Sequence, residues 1–134
     1  MRIMTRLDTV RRDLAESKAK KALDFRIGTI SGNLKAIIAD EVMEFESGDI
    51  KRIKIKKISI PANYLSFLSG YGSNRYGHAL TVDEEIPLPI SMERIGDHAL
   101  FAAAESCEIQ KNDLLGVLIL LPVHLTYRNP FLLF

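Results

Sequence analysis

One short segment, Gly48–Pro61, restricts the fold more than any other part of the chain. It reads GDIKRIKIKKISIP, and its isoleucines alternate with polar residues as on a half-buried β-strand. The alternation changes phase in the middle because Lys56 and Lys57 are adjacent. One extra residue that shifts the phase predicts a β-bulge, or a strand that crosses between two packed sheets. The isoleucine pairs on the two sides of the shift are Ile53 with Ile55 and Ile58 with Ile60.

The rest of the sequence predicts further short strands separated by turns. LDFRIGTI, LKAIIA and VMEFE each predict a strand, while ALFAAAES fits either a strand or a helical turn. LLGVLILL predicts a strand that is buried on both faces. Turns are predicted at Ser31–Asn33, Ser47–Asp49 and Lys111–Asp113. Many short strands with such turns predict an all-β fold, either a compact barrel or a double sheet.

Two of these stretches echo each other. SGDIKRIKI and KNDLLGVLI share a turn with Gly or Asn before Asp, followed by apolar residues at matching offsets. Gly and Asn are the residues that most readily adopt a positive φ at such a turn. Two copies are too few for a solenoid, so the echo supports the strand assignment instead. The matching apolar residues are Ile50, Ile53 and Ile55 in the first stretch and Leu114, Val117 and Ile119 in the second.

The length and charge of the chain limit the classes of function that remain. With 134 residues, it predicts a β-rich core domain at residues 25–124, between a basic segment, 1–24, that can form a short helix, and an apolar tail, 125–134. A formal net charge of +1 gives no global attraction to nucleic acid or to an anionic membrane. The first residues are charged and lack an apolar stretch, so no signal peptide is expected. The single cysteine, Cys107, suits a reducing compartment, and we expect a cytoplasmic protein.

Two stretches of the chain resemble a known superfamily. ESGDIKRIKIKKISIPANYLSFL is similar to a part of trimeric dUTPase and dCTP deaminase domains in which paired strands lead to an Ile-Pro-x-Gly-Tyr turn. CEIQKNDLLGVLILLPV resembles the closing strand of the same domains, and together the two stretches imply a β-clip fold. The chain as a whole is also similar to uncharacterised archaeal families of small domains of unknown function. The residues that carry the superfamily match are Gly48, Ile60, Pro61 and Tyr64 in the first stretch and Asn112, Asp113, Pro122 and Val123 in the second.

The catalytic motifs of that superfamily do not carry over to this sequence. Where a dUTPase has Arg-Ser-Ser, the chain has LSGYGS, and Asp83 is the nearest candidate for the aspartate that activates water. We therefore expect a domain without catalysis and without a cofactor, since a shared fold alone supplies no function. The alternative is a diverged nucleotide hydrolase or deaminase, and Mg²⁺ is expected only if that hydrolase alternative holds.

The loop SGYGSNRYGH is the first candidate site, for a small anionic ligand. Its glycines allow the backbone to approach a ligand closely, and its side chains offer hydrogen-bond donors and flat surfaces. An arginine in the loop can pair with a phosphate or a carboxylate. The competing interpretation is a long loop whose tyrosines pack on the sheet. The candidate residues are Tyr71, Asn74, Arg75, Tyr76 and His78.

The basic residues of the opening segment are the second candidate site, for an anion or for RNA. The competing interpretation is the solvated face of a strand, where lysines also discourage pairing at a sheet edge. The phase shift predicts that the cations are divided between two faces. No aromatic residues lie among them to stack on bases, so we do not expect nucleic acid to be the main partner. The candidate residues are Lys51, Arg52, Lys54, Lys56 and Lys57.

The histidines and the cysteine predict no metal site. His78, His98 and His124 lack a short metal-ligand spacing, and no second cysteine accompanies them. Asp97 is adjacent to His98, and neighbours on a strand point to opposite faces, so no catalytic pair is expected. Cys107 has no basic neighbour in sequence and is expected to be inert.

The last five residues, PFLLF, predict that the tail docks on a surface. Each large apolar side chain left in water costs about 1.5–3 kcal/mol relative to burial. We expect the tail to dock on its own domain or on a neighbouring subunit. The resembled enzymes are trimers that exchange C-terminal arms, which implies a homo-oligomer here, either a dimer or a trimer.

Overall fold

The computed structural model of the chain describes residues 22–70, 72, 74–84 and 88–124. These ranges contain nine β-strands and no helix. Residues 1–21 of the segment predicted to form a helix, Tyr71 of the loop and the tail 125–134 lie outside the described residues, and residues 22–24 of that segment belong to the first strand and not to a helix. The strands are β1 (Ala22–Ile27), β2 (Ile30–Ile38), β3 (Met43–Phe45), β4 (Ile50–Ile60), β5 (Tyr64–Ser69), β6 (Gly77–Glu84), β7 (Arg94–Ala103), β8 (Cys107–Ile109) and β9 (Leu114–Pro122).

The strands form three antiparallel sheets. A four-stranded sheet has the order β1-β2-β9-β5, a three-stranded sheet has the order β4-β7-β6, and β3 pairs with β8. The prediction of an all-β fold is confirmed, although within the described ranges the sheets do not close into a barrel. In this part of the chain there is also no helix long and apolar enough to span a bilayer.

One apolar core draws side chains from all three sheets. Ile37 comes from the four-stranded sheet, Phe45 and Ile109 come from the β3–β8 pair, and Ile53 and Phe101 come from the three-stranded sheet. The rings of Phe45 and Phe101 meet edge to face, with centroids 5.3 Å apart. The core therefore ties the sheets into one packed unit.

The isoleucines that flank the phase shift in β4 all point into this core. Ile53 and Ile60 are 0% and 1% exposed, and Ile55 and Ile58 are also buried. The pairing register of β4 with β7 shifts between Lys54 and Ile58, which is a β-bulge. The bulge interpretation is therefore confirmed. Three residues of β4, Ile55 to Lys57, lie opposite Asp97 alone, so the bulge absorbs the change of phase and returns the second isoleucine pair to the core side.

The turn predicted at Ser31–Asn33 is wrong. Those residues lie within β2, and the chain reverses at Gly28, which has a φ of 61°. Gly32 is small for a different reason, because a Cβ at this position would lie 2.5 Å from Cζ of Phe25 on the paired strand. Glycine is needed at this position because the ring of Phe25 lies over it, and not because the chain turns there.

The other predicted turns are confirmed, and so are the other strands, except that LDFRIGTI contains the turn at Gly28 and is divided between β1 and β2. Gly48 and Asn112 have φ values of 88° and 76° at the two turns that share sequence. ALFAAAES falls mostly in β7, so its strand alternative is right. β9 is buried on successive residues from Leu114 to Leu118, as a strand covered on both faces should be.

The stretches that echo each other in sequence are related by an internal two-fold pattern. β2, β3 and β4 correspond to β7, β8 and β9, with Met43 at the start of β3 matching Cys107 at the start of β8. β2 pairs with β9, β4 pairs with β7, and β3 and β8 pair with each other. Each half of the chain therefore completes a sheet begun by the other half.

Backbone hydrogen bonds around the two turns repeat the same exchange. The amide of Gly48 donates to the carbonyl of Ala103 at 2.9 Å, and the amide of Asn112 donates to the carbonyl of Ala39 at 2.8 Å. Each turn is thus fixed by the strand end of the opposite half. The sequence echo reflects this symmetry.

Candidate functional site

The outer face of the three-stranded sheet carries charged side chains in cross-strand rows. On β4, Arg52 lies opposite Leu100 of β7, and Lys54 lies opposite His98. On β6, Asp83 lies opposite His98 from the other side. Directly paired residues project to the same side of a sheet, so these five residues share the face that points away from the core.

Four of the five predicted cations meet in one open groove of about 780 Å³ on this side of the sheet. The bulge explains the gathering, because it leaves Lys56 and Lys57 both exposed next to the outward-facing residues of β4. The prediction that the phase shift divides the cations is therefore wrong for these four. The groove is lined by Asp40, Arg52, Lys54, Ile55, Lys56, Lys57, Asp97 and His98.

Lys51, the fifth predicted cation, lies apart from the groove. Its ammonium donates to the carbonyl of Glu44 at 2.9 Å and lies 3.4 Å from a carboxylate oxygen of Asp49. It also lies 5.4 Å from the centroid of the Phe45 ring. These contacts tie Lys51 to the neighbouring β3 strand and its turn.

The lysines of the groove form no salt bridge among the described residues, although the carboxylate of Glu41 accepts the backbone amide of Lys54 at 2.6 Å. No carboxylate oxygen in those ranges lies within 4.0 Å of the ammonium groups of Lys54, Lys56 or Lys57. Arg52 differs, since its Nε lies 3.4 Å from Oδ2 of Asp83, but both side chains are partly exposed and such a pair contributes little. With two carboxylates and four cations in its lining, the groove has a formal charge of +2 when His98 is neutral.

Asp97 and His98 form a close pair in the groove. Oδ1 of Asp97 lies 3.1 Å from Nδ1 of His98, so the expectation that neighbours on a strand stay apart is wrong here. Nδ1 is the ring nitrogen nearest the backbone, and the short aspartate side chain reaches it. The hydrogen bond from His98 lowers the pKa of the Asp97 carboxyl. A smaller effect of the Lys57 charge also lowers this pKa, so Asp97 is engaged mainly by His98 and only weakly by Lys57.

The candidate residues of the loop make contacts that fix the conformation of the loop. Nδ2 of Asn74 donates to the carbonyl of Leu114 at 2.8 Å, and its Oδ1 accepts the amide of Tyr76 at 2.8 Å. Tyr76 packs on the core, with the guanidinium of Arg75 5.0 Å from its ring centroid, and His78 is exposed on β6. These contacts fit the packed-loop interpretation, and ligand binding by the loop stays a prediction.

The remaining reactive groups form no further candidate centre. Within the described ranges, no cluster of three or more His, Cys, Asp or Glu side chains is arranged to hold a metal ion. Cys107 lies opposite Phe45 on the β3–β8 pair, and burial, with a smaller effect of Glu105, raises the pKa of its thiol. A raised pKa reduces the thiolate fraction at neutral pH, which agrees with an unreactive cysteine.

Sequence reasoning did not assign three residues to the groove, namely Asp40, Asp97 and His98. Their positions depend on the register of β4 against β7 and on a bridge between Ala39 and Ile55. Pairing between residues so far apart in the chain cannot be predicted from the local sequence pattern. Co-variation among relatives is the signal that could have found these contacts.

The described residues form an all-β domain with a basic concavity on its surface. The chain belongs to the family described as "Domain of unknown function DUF22", which it matches over residues 1–107. It is also 40% identical, over 120 residues, to an uncharacterized protein of Methanocaldococcus jannaschii, covering 90% of each chain.

These findings confirm the resemblance to archaeal domains of unknown function. No solved structure matches the chain. The resemblance to dUTPases and dCTP deaminases is not confirmed by any of these matches.

Proposed function

We propose that this domain is a non-catalytic binding module that holds a small polyanionic ligand in the groove of β4. The observation that carries the proposal is the convergence of Lys54, Lys56 and Lys57, none of which forms a salt bridge with a described residue, on one concave surface beside Arg52. Ammonium and guanidinium groups held together in this way are suited to phosphate or carboxylate oxygens.

The arrangement differs from an ordinary solvated face in its cross-strand neighbours. Solvated faces of antiparallel sheets commonly place opposite charges directly across from each other. Here the residues across from Arg52 and Lys54 are Leu100 and His98, and neither is acidic. Apart from the exposed pair of Arg52 with Asp83 and a weak effect of Asp97 on Lys57, the positive charge is therefore available to a ligand.

The size of the groove and the charge of the chain favour a small molecule. A volume of about 780 Å³ lies within the range of roughly 300–1,000 Å³ that is usual for small-molecule sites. A net charge of +1 gives no long-range field for a nucleic-acid strand. We infer a ligand with at least two anionic groups, such as a phosphate ester or a polycarboxylate, bound in the cytoplasm.

Calorimetric titration at low and moderate salt tests the proposal, with inorganic pyrophosphate, a nucleoside triphosphate and citrate as probes. We expect one of these to bind, and the double variant Lys54→Gln/Lys57→Gln to weaken it at least tenfold, because two charge-assisted contacts are lost. Lys51→Gln is the matched control, since this lysine lies outside the groove.

Three outcomes would overturn the proposal. If binding of the probe is lost in Arg75→Gln but kept in the groove variant, the binding site is the loop of Tyr71–His78 and not the groove. Much tighter binding of a single-stranded RNA, with a steep fall in affinity as salt rises, would indicate a nucleic-acid module. Release of pyrophosphate or ammonia from deoxynucleoside triphosphates with Mg²⁺ would support the enzyme alternative.

A further inference from the structure

The outer face of the four-stranded sheet is largely apolar, with Ser69 as a polar residue beside Val117. On this face Phe67 of β5 lies opposite Ile119 of β9, which in turn lies opposite Leu34 of β2. The described residues of the face include no charged side chain. The apolar residues are Phe25, Ile27, Ile30, Leu34, Ala36, Ile38, Leu65, Phe67, Leu114, Val117, Ile119 and Leu121.

The centre of this face is buried while its rim is exposed. Val117 and Leu114 are 0% and 1% exposed, whereas Phe67 is 46% exposed. The apolar side chains packed against the buried pair all come from β2 of the same sheet. A sheet face buries its centre beneath a second layer, and the main core lies on the opposite side of this sheet. The face is therefore a docking surface.

The area of the face suits a segment of chain better than a second copy of the domain. Four strands about 4.8 Å apart and six residues long at about 3.3 Å each give roughly 400 Å². A stable dimer buries about 800 Å² on each partner. A short apolar peptide covers a surface of the smaller size.

We propose that residues 125–134 of the same chain cover this face. They follow directly on β9, the strand beneath the centre of the face, where the amide of Val123 donates to the carbonyl of Asn63 at 2.8 Å. Ten residues reach up to about 33 Å, which is longer than the face. The segment LTYRNPFLLF has a single charged residue, Arg128, and therefore matches a face without charge.

The N-terminal residues 1–21 match the face less well. They contain seven Lys or Arg and three Asp or Glu residues, and burying these charges against an apolar surface would be costly. The proposal also buries the apolar side chains of the tail without requiring a neighbouring subunit. The expectation of a homo-oligomer depended on that tail reaching a neighbouring subunit, so it loses this support.

Disulfide trapping tests the proposal in the full-length chain. In a Cys107→Ser background, Phe67→Cys on the face is combined with Leu133→Cys in the tail. The matched control combines Leu133→Cys with Thr81→Cys, an exposed position on the three-stranded sheet. After mild oxidation we expect most chains of the first variant to carry an intramolecular disulfide and to keep the mass of a monomer. In the control variant we expect less than a tenth of the chains to be bridged.

Other outcomes of the trapping experiment overturn the proposal. A covalent dimer through Phe67→Cys and Leu133→Cys would place a second copy on the face. Bridging no greater than in the control would show that the tail is elsewhere. Hydrogen exchange on the chain lacking residues 131–134 gives a second readout, in which we expect amides of β5 and β9 to exchange at least tenfold faster. Unchanged exchange would contradict the proposal, whatever the result at the β4 groove.

Discussion

Gly32 shows at the scale of one residue how the sequence can be misread. A glycine between serine and asparagine is typical of a turn, yet here it lies inside a strand beneath the ring of Phe25. The two explanations make different demands on the backbone. A turn glycine is needed for its φ, whereas Gly32 is needed for the space above it, and only the cross-strand partner reveals this.

We predict that Gly32→Ala lowers the free energy of unfolding by about 1–3 kcal/mol, because the new methyl group overpacks the contact with Phe25. The Cβ would also lie 2.8 Å from the carbonyl oxygen of Leu120. Urea denaturation followed by circular dichroism measures the change. Gly70→Ala is the matched control, since a Cβ there meets nothing within 4 Å, and it should change stability by less than about 0.5 kcal/mol. Equal effects of the two substitutions would contradict the packing explanation.

At the scale of the element, β4 shows what periodicity can and cannot predict. The period-two pattern and its phase shift located the bulge and the buried isoleucines, because burial on one face is written directly into the sequence. The same pattern misplaced the cations, since a bulge also changes where its own side chains project. Asp97 and His98 reach the groove through a strand far away in sequence, and no local pattern encodes that register.

We predict that Ile60→Ala lowers the free energy of unfolding by about 2–5 kcal/mol, because this residue beyond the bulge lies in the core and is 1% exposed. Thermal and urea denaturation measure the loss. Ile50→Ala, on the same strand but 58% exposed, is the matched control and should change stability by less than about 1 kcal/mol. A loss at Ile60 no larger than the loss at Ile50 would show that the second isoleucine pair does not face the core.

At the scale of the whole molecule, the two halves of the chain should respond alike to equivalent changes. Oδ2 of Asp49 accepts the amide of Glu46 at 2.9 Å, and Oδ2 of Asp113 accepts the amide of Gln110 at 2.8 Å. The two aspartates occupy matching positions in matching turns. The hydrogen bond from the Glu46 amide lowers the pKa of the Asp49 carboxyl, as expected for an acceptor in its ionised form.

We predict that Asp49→Ala and Asp113→Ala both lower the urea midpoint of unfolding, because each substitution removes one hydrogen bond that organises a turn. Urea denaturation followed by circular dichroism should give shifts that agree within about a factor of two, since the nearby Lys51 is an exposed partner of Asp49 and adds little. Glu105→Ala, at an exposed position between β7 and β8, is the control and should leave the midpoint unchanged. A shift at only one of the two aspartates would show that the symmetry of the backbone does not extend to its energetics.

The two-fold pattern has a consequence for how the two sheet faces can differ. An assembly of two identical peptides would carry the same side chains on both outer surfaces, so any change that made one surface basic would make the other basic as well. A single chain with the same backbone pairing is free of that constraint, because each half is encoded separately. Here one surface carries lysines around a bulge, and the other is largely apolar. Joining the halves in one chain allows a symmetric scaffold to have two unlike sides.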